Sequence, residues 1–279
     1  KKINHNKKKK NLIYENAVLK VYDFPVLYFP KFFHPDPTVK RRSGFLQPQF
    51  NNSEILGSSI FIPYFKTFGL DKDYTFKPTI FENNKYILQN EYRRKYKNAS
   101  LISDFSITKG YKPSENEKKN SISHLFLKYS KDLKIPKYSN SKIEAKIEKV
   151  SNDTYLKVFQ NNLFKTPVMP ENKDVMETKL QIELDNEKSF FNSGMEIYES
   201  LDGANSDRFQ YVFPYYEYMS DFESNNYNGM INFSSSGSNN LKNTNNLKTL
   251  VQNQLRYNSQ DYIKLGIKNN FGIYVKNVN

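Results

Sequence analysis

The strongest constraint on this chain is a two-residue rhythm in its apolar side chains. In Leu180-Gln181-Ile182-Glu183-Leu184-Asp185 every second side chain is aliphatic and the rest are polar. Lys142-Ile143-Glu144-Ala145-Lys146-Ile147-Glu148 obeys the same rule. Between Tyr86 and Tyr96, Tyr86, Leu88, Tyr92 and Tyr96 fall on one side, opposite Gln89, Glu91, Arg93 and Lys95. Leu101, Phe105 and Ile107 oppose Asp104, Ser106 and Thr108, and near the end Phe271, Ile273 and Val275 oppose Asn270, Tyr274 and Lys276. Successive side chains of a strand point to opposite faces, so this rhythm makes sheets with one apolar side.

Turn-forming clusters separate the runs: Glu82-Asn83-Asn84, Asp185-Asn186-Glu187, Asp202-Gly203-Ala204-Asn205 and the Ser/Gly/Asn-rich stretch from Ser234 to Asn246. The spacing predicts about a dozen strands joined by short and longer connections, the pattern of an outer-membrane barrel. Aromatics expected near strand ends, such as Phe209, Tyr211, Tyr215 and Tyr216, suit the interfacial girdles of such barrels. A soluble β-sandwich alternates in the same way and stays open. From Ser141 to Ser151, Ile143, Ile147 and Val150 also fit helical spacing among good helix formers, so that segment reads both ways.

Composition narrows the class. The apolar share is 37%, below the roughly 45–50% of globular chains. The 21 Tyr and 22 Phe nevertheless argue against disorder. The net charge of +13 fits three readings: the residue bias of an AT-rich genome, nucleic-acid binding, or a surface that meets phosphorylated glycolipid. The cations are spread along the chain, dense only at Lys7 to Lys10 and Lys40-Arg41-Arg42, and no nucleic-acid signature accompanies them. With no cysteine, disulfides and thiolate zinc sites are excluded, and His5, His34 and His124 have no partner at metal-ligand spacing. No run reaches the roughly 18 apolar residues of a membrane helix, and Lys1 to Lys10 is not followed by the apolar core of a signal peptide. The expectation is a cytosolic protein or an internal piece exported by an upstream signal. No nucleophile elbow, phosphate loop or marked carboxylate pair points to an enzyme.

Residues 25–65 read PVLYFPKFFHPDPTVKRRSGFLQPQFNNSEILGSSIFIPYF. The ordered elements are a P-V-x-Y-x-P pair at Pro25 to Pro30, a His-Pro-Asp-Pro turn at His34 to Pro37 and the entry Lys40-Arg41-Arg42-Ser43-Gly44-Phe45. Gly57 and Pro63-Tyr64 follow, then Leu70-Asp71-Lys72-Asp73-Tyr74-Thr75 leading into a third strand. This series resembles the LptD/OstA family of lipopolysaccharide-assembly proteins, at the junction of periplasmic domain and barrel. Weaker likeness continues through Asn90-Glu91-Tyr92-Arg93 and from Tyr262 to Asn279.

The resemblance implies an all-β fold. Residues 1–42 would be the last strands of a periplasmic β-jellyroll-like lipid-groove domain and the junction. Residues 43–279 would be the first part of an antiparallel transmembrane β-barrel in the cell outer membrane of a Gram-negative bacterium, with the N-terminal part periplasmic. The implied function is lipopolysaccharide transport and insertion into the outer leaflet through a lumen and a lateral gate, without catalysis, cofactor or metal. Implied partners are lipopolysaccharide, an LptE-like lipoprotein plug, an LptA-like periplasmic bridge protein and the outer membrane, with no nucleic acid. Another outer-membrane barrel (a porin or receptor) and a basic soluble β-rich binding protein are the alternatives.

Three sets of residues are candidates. Pro48 and Pro63 lie inside alternating stretches although proline cannot donate to a ladder; they are bulge residues or weak points, and the resemblance places them at the lateral gate. Val26, Tyr28, Phe32 and Phe33 belong to the most apolar stretch, as ordinary core or as acyl-chain contacts of the groove. Lys40, Arg41 and Arg42 sit at the junction, where they contact lipid phosphates or anchor the barrel rim.

Overall fold

A computed structural model describes residues 2–6, 10–21, 23–36, 38–39, 41–111, 120–204, 207–224, 228–243 and 245–279. Nearly all of its regular elements are strands, and every pairing is antiparallel. A small sheet holds β1 (Lys2–Asn6), β2 (Asn11–Val21) and β3 (Phe24–Pro35). The large sheet opens with a hairpin whose arms are each split: β4 (Gly44–Phe45) with β5 (Gln49–Ser53), then β6 (Gly57–Phe61) with β7 (Tyr64–Thr67). It continues through β8 (Lys72–Phe81), β9 (Tyr86–Lys95), β10 (Ala99–Tyr111), β11 (Asn120–Asp132), β12 (Asn140–Val150), β13 (Val175–Asn186), β14 (Ser189–Ser200), β15 (Phe209–Ser224), β16 (Gly229–Lys242) and β17 (Asn246–Ser259). A two-stranded hairpin of β18 (Tyr262–Lys264) and β19 (Ile267–Asn269) precedes β20 (Gly272–Val278), which pairs with β17. From β8 to β17 each strand pairs with the next in sequence, a meander whose edges are β5 and β20.

The register brings the aliphatic alternates together. Ile143 lies opposite Ile182, Ala145 opposite Leu180, and Leu180 in turn opposite Met195. The ambiguous segment from Ser141 to Ser151 is therefore a strand over most of its length. On its other face Lys146 pairs with Glu177 and Lys128 with Glu144, at 2.7 and 3.3 Å, contacts between strands that an isolated helix could not make.

Two expectations are corrected. The stretch from Ser234 to Asn246 is not a turn: β16 runs to Lys242, and the connection is confined to 243–245. Its small polar side chains bond across the ladder, with Ser235 donating to Asn253 at 2.8 Å and Thr249 donating to Asn239 at 2.9 Å. Gly237 leaves room there for the Tyr216 ring, which a Cβ would approach to 2.5 Å. Of the aromatics expected near strand ends, Phe209 opens the long β15 and Tyr211 lies close to its start, whereas Tyr215 and Tyr216 lie well inside it. Pro214 in the same strand falls at a register shift between Val212 and Tyr215, where a missing N–H breaks no regular pair.

One element had no counterpart in the sequence reading. The β12–β13 connection, residues 151–174, carries the short helix α1 (Tyr155–Phe159) and folds back onto the sheet. Tyr155, Leu156 and Phe159 are fully buried there, against a cluster that includes Ile87, Ile122, Phe126 and Val150. The core of the protein sits in this layer.

Candidate lateral seam and covered polar face

Burial across β8 to β11 is inverted relative to a water-soluble sheet. Many of the buried alternates are polar: Lys77 and Asp104 are 0% exposed, Gln89 1% and His124 2%, alongside Phe81, Ile87, Ile122 and Phe126 on the same face. The exposed alternates are apolar, with Ile80 at 55%, Phe105 at 41% and Leu125 at 38%. A soluble sandwich buries its aliphatic face and shows water the other. Here the apolar face has no protein cover among the described residues, and the opposite face lies under the 151–174 loop.

The covered polar groups are joined in a network, as burial demands. Gln89 grips the loop by paired bonds: its side-chain amide donates to the Phe164 carbonyl at 2.9 Å, and the Phe164 N–H donates back to Gln89 Oε1 at 2.8 Å. Asp104 accepts from Gln89 Nε2 and from the Thr166 hydroxyl, both at 2.8 Å. The Tyr155 hydroxyl lies 2.8 Å from His124 Nδ1 and donates to Ser106 at 3.2 Å. Lys77 pairs with Glu91 at 2.5 Å, and its ammonium lies 4.4 Å from the centroid of the Phe164 ring. That ring also stacks on Phe61 of β6, with centroids 5.5 Å apart and planes inclined by 22°.

Ion pairs hold the outer end of the loop. Lys157 bridges Asp202 and Asp174 at 2.7 and 2.9 Å, and these carboxylates, Asp202 foremost, raise its pKa. Arg208 joins Asp153 to Glu199, and hydrogen bonding to Asp153 raises the guanidinium pKa further. Asp153 and Asp174 stand close to the two ends of the loop, so both ends are tied to the 201–208 connection.

Pro48 and Pro63 occupy one interruption. β4 pairs with β7 and β5 with β6, leaving residues 46–48 opposite residues 62–63. Leu46 N–H donates to the Pro63 carbonyl at 2.9 Å, and Ile62 N–H donates to the Pro78 carbonyl at 3.2 Å. In an antiparallel ladder a hydrogen-bonded residue presents N–H and C=O to the same partner. Pro63 and Pro78 therefore accept one bond each and can return none. Pro78, which the sequence reading passed over, thins the ladder on the inner side of the same arm. Its signal was available: a third proline in the third strand, fifteen residues after Pro63 as Pro63 is fifteen after Pro48.

At the junction, Arg41 donates to the Leu70 carbonyl at 2.8 Å and pairs with Asp73, which Arg93 also bonds at 2.8 Å. Arg42 lies beside it, partly buried, and Lys40 falls outside the described residues. Just upstream, the Thr38 backbone N–H and hydroxyl, and the His5 ring, hold the Asp36 carboxyl below the usual carboxylate range. Val26, Tyr28, Phe32 and Phe33 all belong to β3. Tyr28 is exposed, its hydroxyl donating to Asn16 at 2.7 Å, and the side chains of the other three lie outside the described residues. The structure thus brings Pro48 and Pro63 together, ties Arg41 to β8, and leaves the β3 residues on a separate sheet.

An antiparallel meander that exposes its apolar face, covers much of its other face with a returning loop and is bounded by the edge strands β5 and β20 has the make-up of a β-barrel wall. Among the described residues no helix is long and apolar enough to cross a membrane. The chain carries an LptD-like segment. Over 78 residues it is 37% identical to the LPS-assembly protein LptD of Pseudoalteromonas translucida, a match covering 28% of this chain and 10% of that protein. The corresponding protein of Pseudomonas aeruginosa is 35% identical over 78 residues, 28% of this chain and 8% of its own length. That of Shewanella oneidensis is 36% identical over 78 residues, 28% and 10%. The match thus spans about a tenth or less of these relatives, and no family model matches the chain.

Proposed function

We propose that this chain is part of an outer-membrane barrel that carries lipopolysaccharide to the outer leaflet of a Gram-negative envelope, in the manner its likeness to LPS-assembly proteins suggests. The observation that carries the reading is the inverted burial of β8 to β11. Aliphatic side chains that face outward without cover suit a hydrocarbon solvent, and a polar interior suits a lumen.

In this reading the first hairpin is one side of a lateral gate, closed against the last strand of the complete barrel. Lipopolysaccharide has acyl chains that avoid water and a sugar head that avoids hydrocarbon, so a seam that opens sideways serves both. The acyl chains pass into the membrane while the head crosses the polar lumen. Pro48, Pro63 and Pro78 remove donors worth about 0.5–1.5 kcal/mol each, enough to shift an opening equilibrium several-fold. Residues 1–42 would end a periplasmic lipid groove through β1 to β3, with Val26, Tyr28, Phe32 and Phe33 as acyl contacts and an LptA-like bridge protein docking on it. Lys40 and Arg42 would meet lipid phosphates, while Arg41 fixes the junction to Asp73. The polar face of β17, exposed along much of its length, leaves room for an LptE-like lipoprotein in the lumen.

Photo-cross-linking in cells tests this. A photoreactive residue at Phe50, an exposed position on edge strand β5, should capture lipopolysaccharide, whereas one at Leu255 in β17 should not. A porin or a soluble binding protein would give no adduct at Phe50, or the same adduct at both positions.

A further inference from the structure

The loop at 151–174 reaches further across the sheet than packing over β9 to β11 requires. Its tip places Phe164 against Phe61, a 4%-exposed residue on the second arm of the first hairpin and two positions before Pro63. A cavity of about 330 Å³ beside it is lined by Gln49 and Asn51 of β5 and by Asn161 to Lys165 of the loop. The backbone holds this hairpin unevenly: β6 meets β8 from Ser59 to Phe61 and β7 meets it from Tyr64 to Thr67, the bond from Ile62 to Pro78 goes unreturned between them, and prolines interrupt both arms. Where ladder bonds are missing, side-chain contacts carry a larger share of what fixes the strand. The grip on Phe164 is itself rigid. Gln89 clamps its backbone from both sides, and the ring meets the Lys77 ammonium as well as Phe61.

We propose that Phe164 is a positioning residue for the seam, a brace through which the loop holds the first hairpin in place from the polar side. Loop and hairpin are then coupled: withdrawal of the loop unseats Phe61 and frees the hairpin, and a docked loop keeps it shut. The coupling is reciprocal, so anything that displaces the hairpin also loosens the loop. This rests on the seam reading above for its functional meaning, while the brace is a physical claim that stands or falls alone.

Hydrogen exchange on the intact protein in detergent tests it. Phe164→Ala should speed exchange of the backbone amides in 49–61 by about tenfold or more, since an aromatic pair and its buried area are lost at a site governed by local opening. Amides of β10 and β11 should stay protected, which also shows that the variant is folded. Phe164→Leu, which keeps apolar volume without the ring, should give a smaller increase. Unchanged exchange in the hairpin, or an equal rise throughout the sheet, overturns the brace. The chain has no native cysteine, so a Phe61→Cys, Phe164→Cys pair can be joined by a short cross-linker and released by cleaving it. Joined, it should stop lipopolysaccharide delivery, and cleavage should restore it. Normal delivery by the joined form, with faster hairpin exchange in Phe164→Ala, would uphold the brace and refute the seam.

Discussion

The first hairpin and the sector from β13 to β17 are made of the same alternating strands, yet they are held in opposite ways. In the sector, β16 pairs with β17 without a break from Gly229 opposite Ser259 to Lys242 opposite Asn246, and β13 pairs with β14 along its whole length. In the hairpin each arm is cut in two, and prolines sit at the cuts. Proline alone does not make the difference. Pro214 lies in the well-paired sector and is absorbed by a bulge, whereas Pro63 and Pro78 accept a ladder bond and cannot return it. Weak pairing is thus concentrated at the edge of the sheet, and a loop whose Phe164 stands 103 residues beyond Phe61 is placed to hold it.

The sharpest way to break this contrast is to move the defect. Ile182→Pro puts a proline in the middle of β13, between Ile143 and Ser193, where no bulge exists to absorb it. The expected loss is on the order of 3 kcal/mol, through a lost donor and an unsatisfied partner in a water-poor setting. Urea unfolding in detergent should show a clear drop in midpoint; a loss under 1 kcal/mol would mean that the two regions do not differ in their tolerance.

The reverse change should tighten the edge. Pro48→Ala with Pro63→Ala restores two donors at about 0.5–1.5 kcal/mol each, making an open seam rarer by about five- to a hundred-fold. The double variant should fold, resist heat at least as well, and deliver less lipopolysaccharide, read as increased sensitivity of cells to large hydrophobic antibiotics. Full delivery by a well-folded double variant would leave these prolines as bulge residues without a gating role.

A smaller effect separates packing from pairing in the sector. Gly237→Ala puts a methyl 2.5 Å from the Tyr216 ring, so the ring must swing away. The expected loss is about 1 kcal/mol by denaturant titration, with hairpin amide exchange unchanged.

The alternating strands could be read directly, because a two-residue period needs only neighbouring residues. Leu180 to Asp185 and Tyr86 to Lys95 lie in strands whose two faces carry the residues assigned to them. Where reading failed, the deciding partner was remote. Nothing near Lys77 announces that Glu91 and Phe164 will bury it, and nothing near Gln89 announces a clamp on a loop 75 residues on. The stretch from Ser234 to Asn246 looked like a turn because small polar residues favour turns; in the sheet, Tyr216 needs the space at Gly237, and Asn253 and Thr249 bond its neighbours. Pro48 and Pro63 stood out as residue types that a ladder excludes, but that they share one break depended on the register of four strand segments.

In a barrel wall the exposed apolar face meets lipid and the polar face does not. The cysteine-free chain allows single cysteines at Leu125 and Leu180 on one face and at Lys128 and Gln181 on the other. Each would carry a fluorophore in the intact protein reconstituted into vesicles, with brominated acyl chains as the quencher. Strong quenching at Leu125 and Leu180, with little at Lys128 and Gln181, is the predicted result. Equal quenching on both faces, or none at Leu125 and Leu180 in the folded protein, would contradict the account.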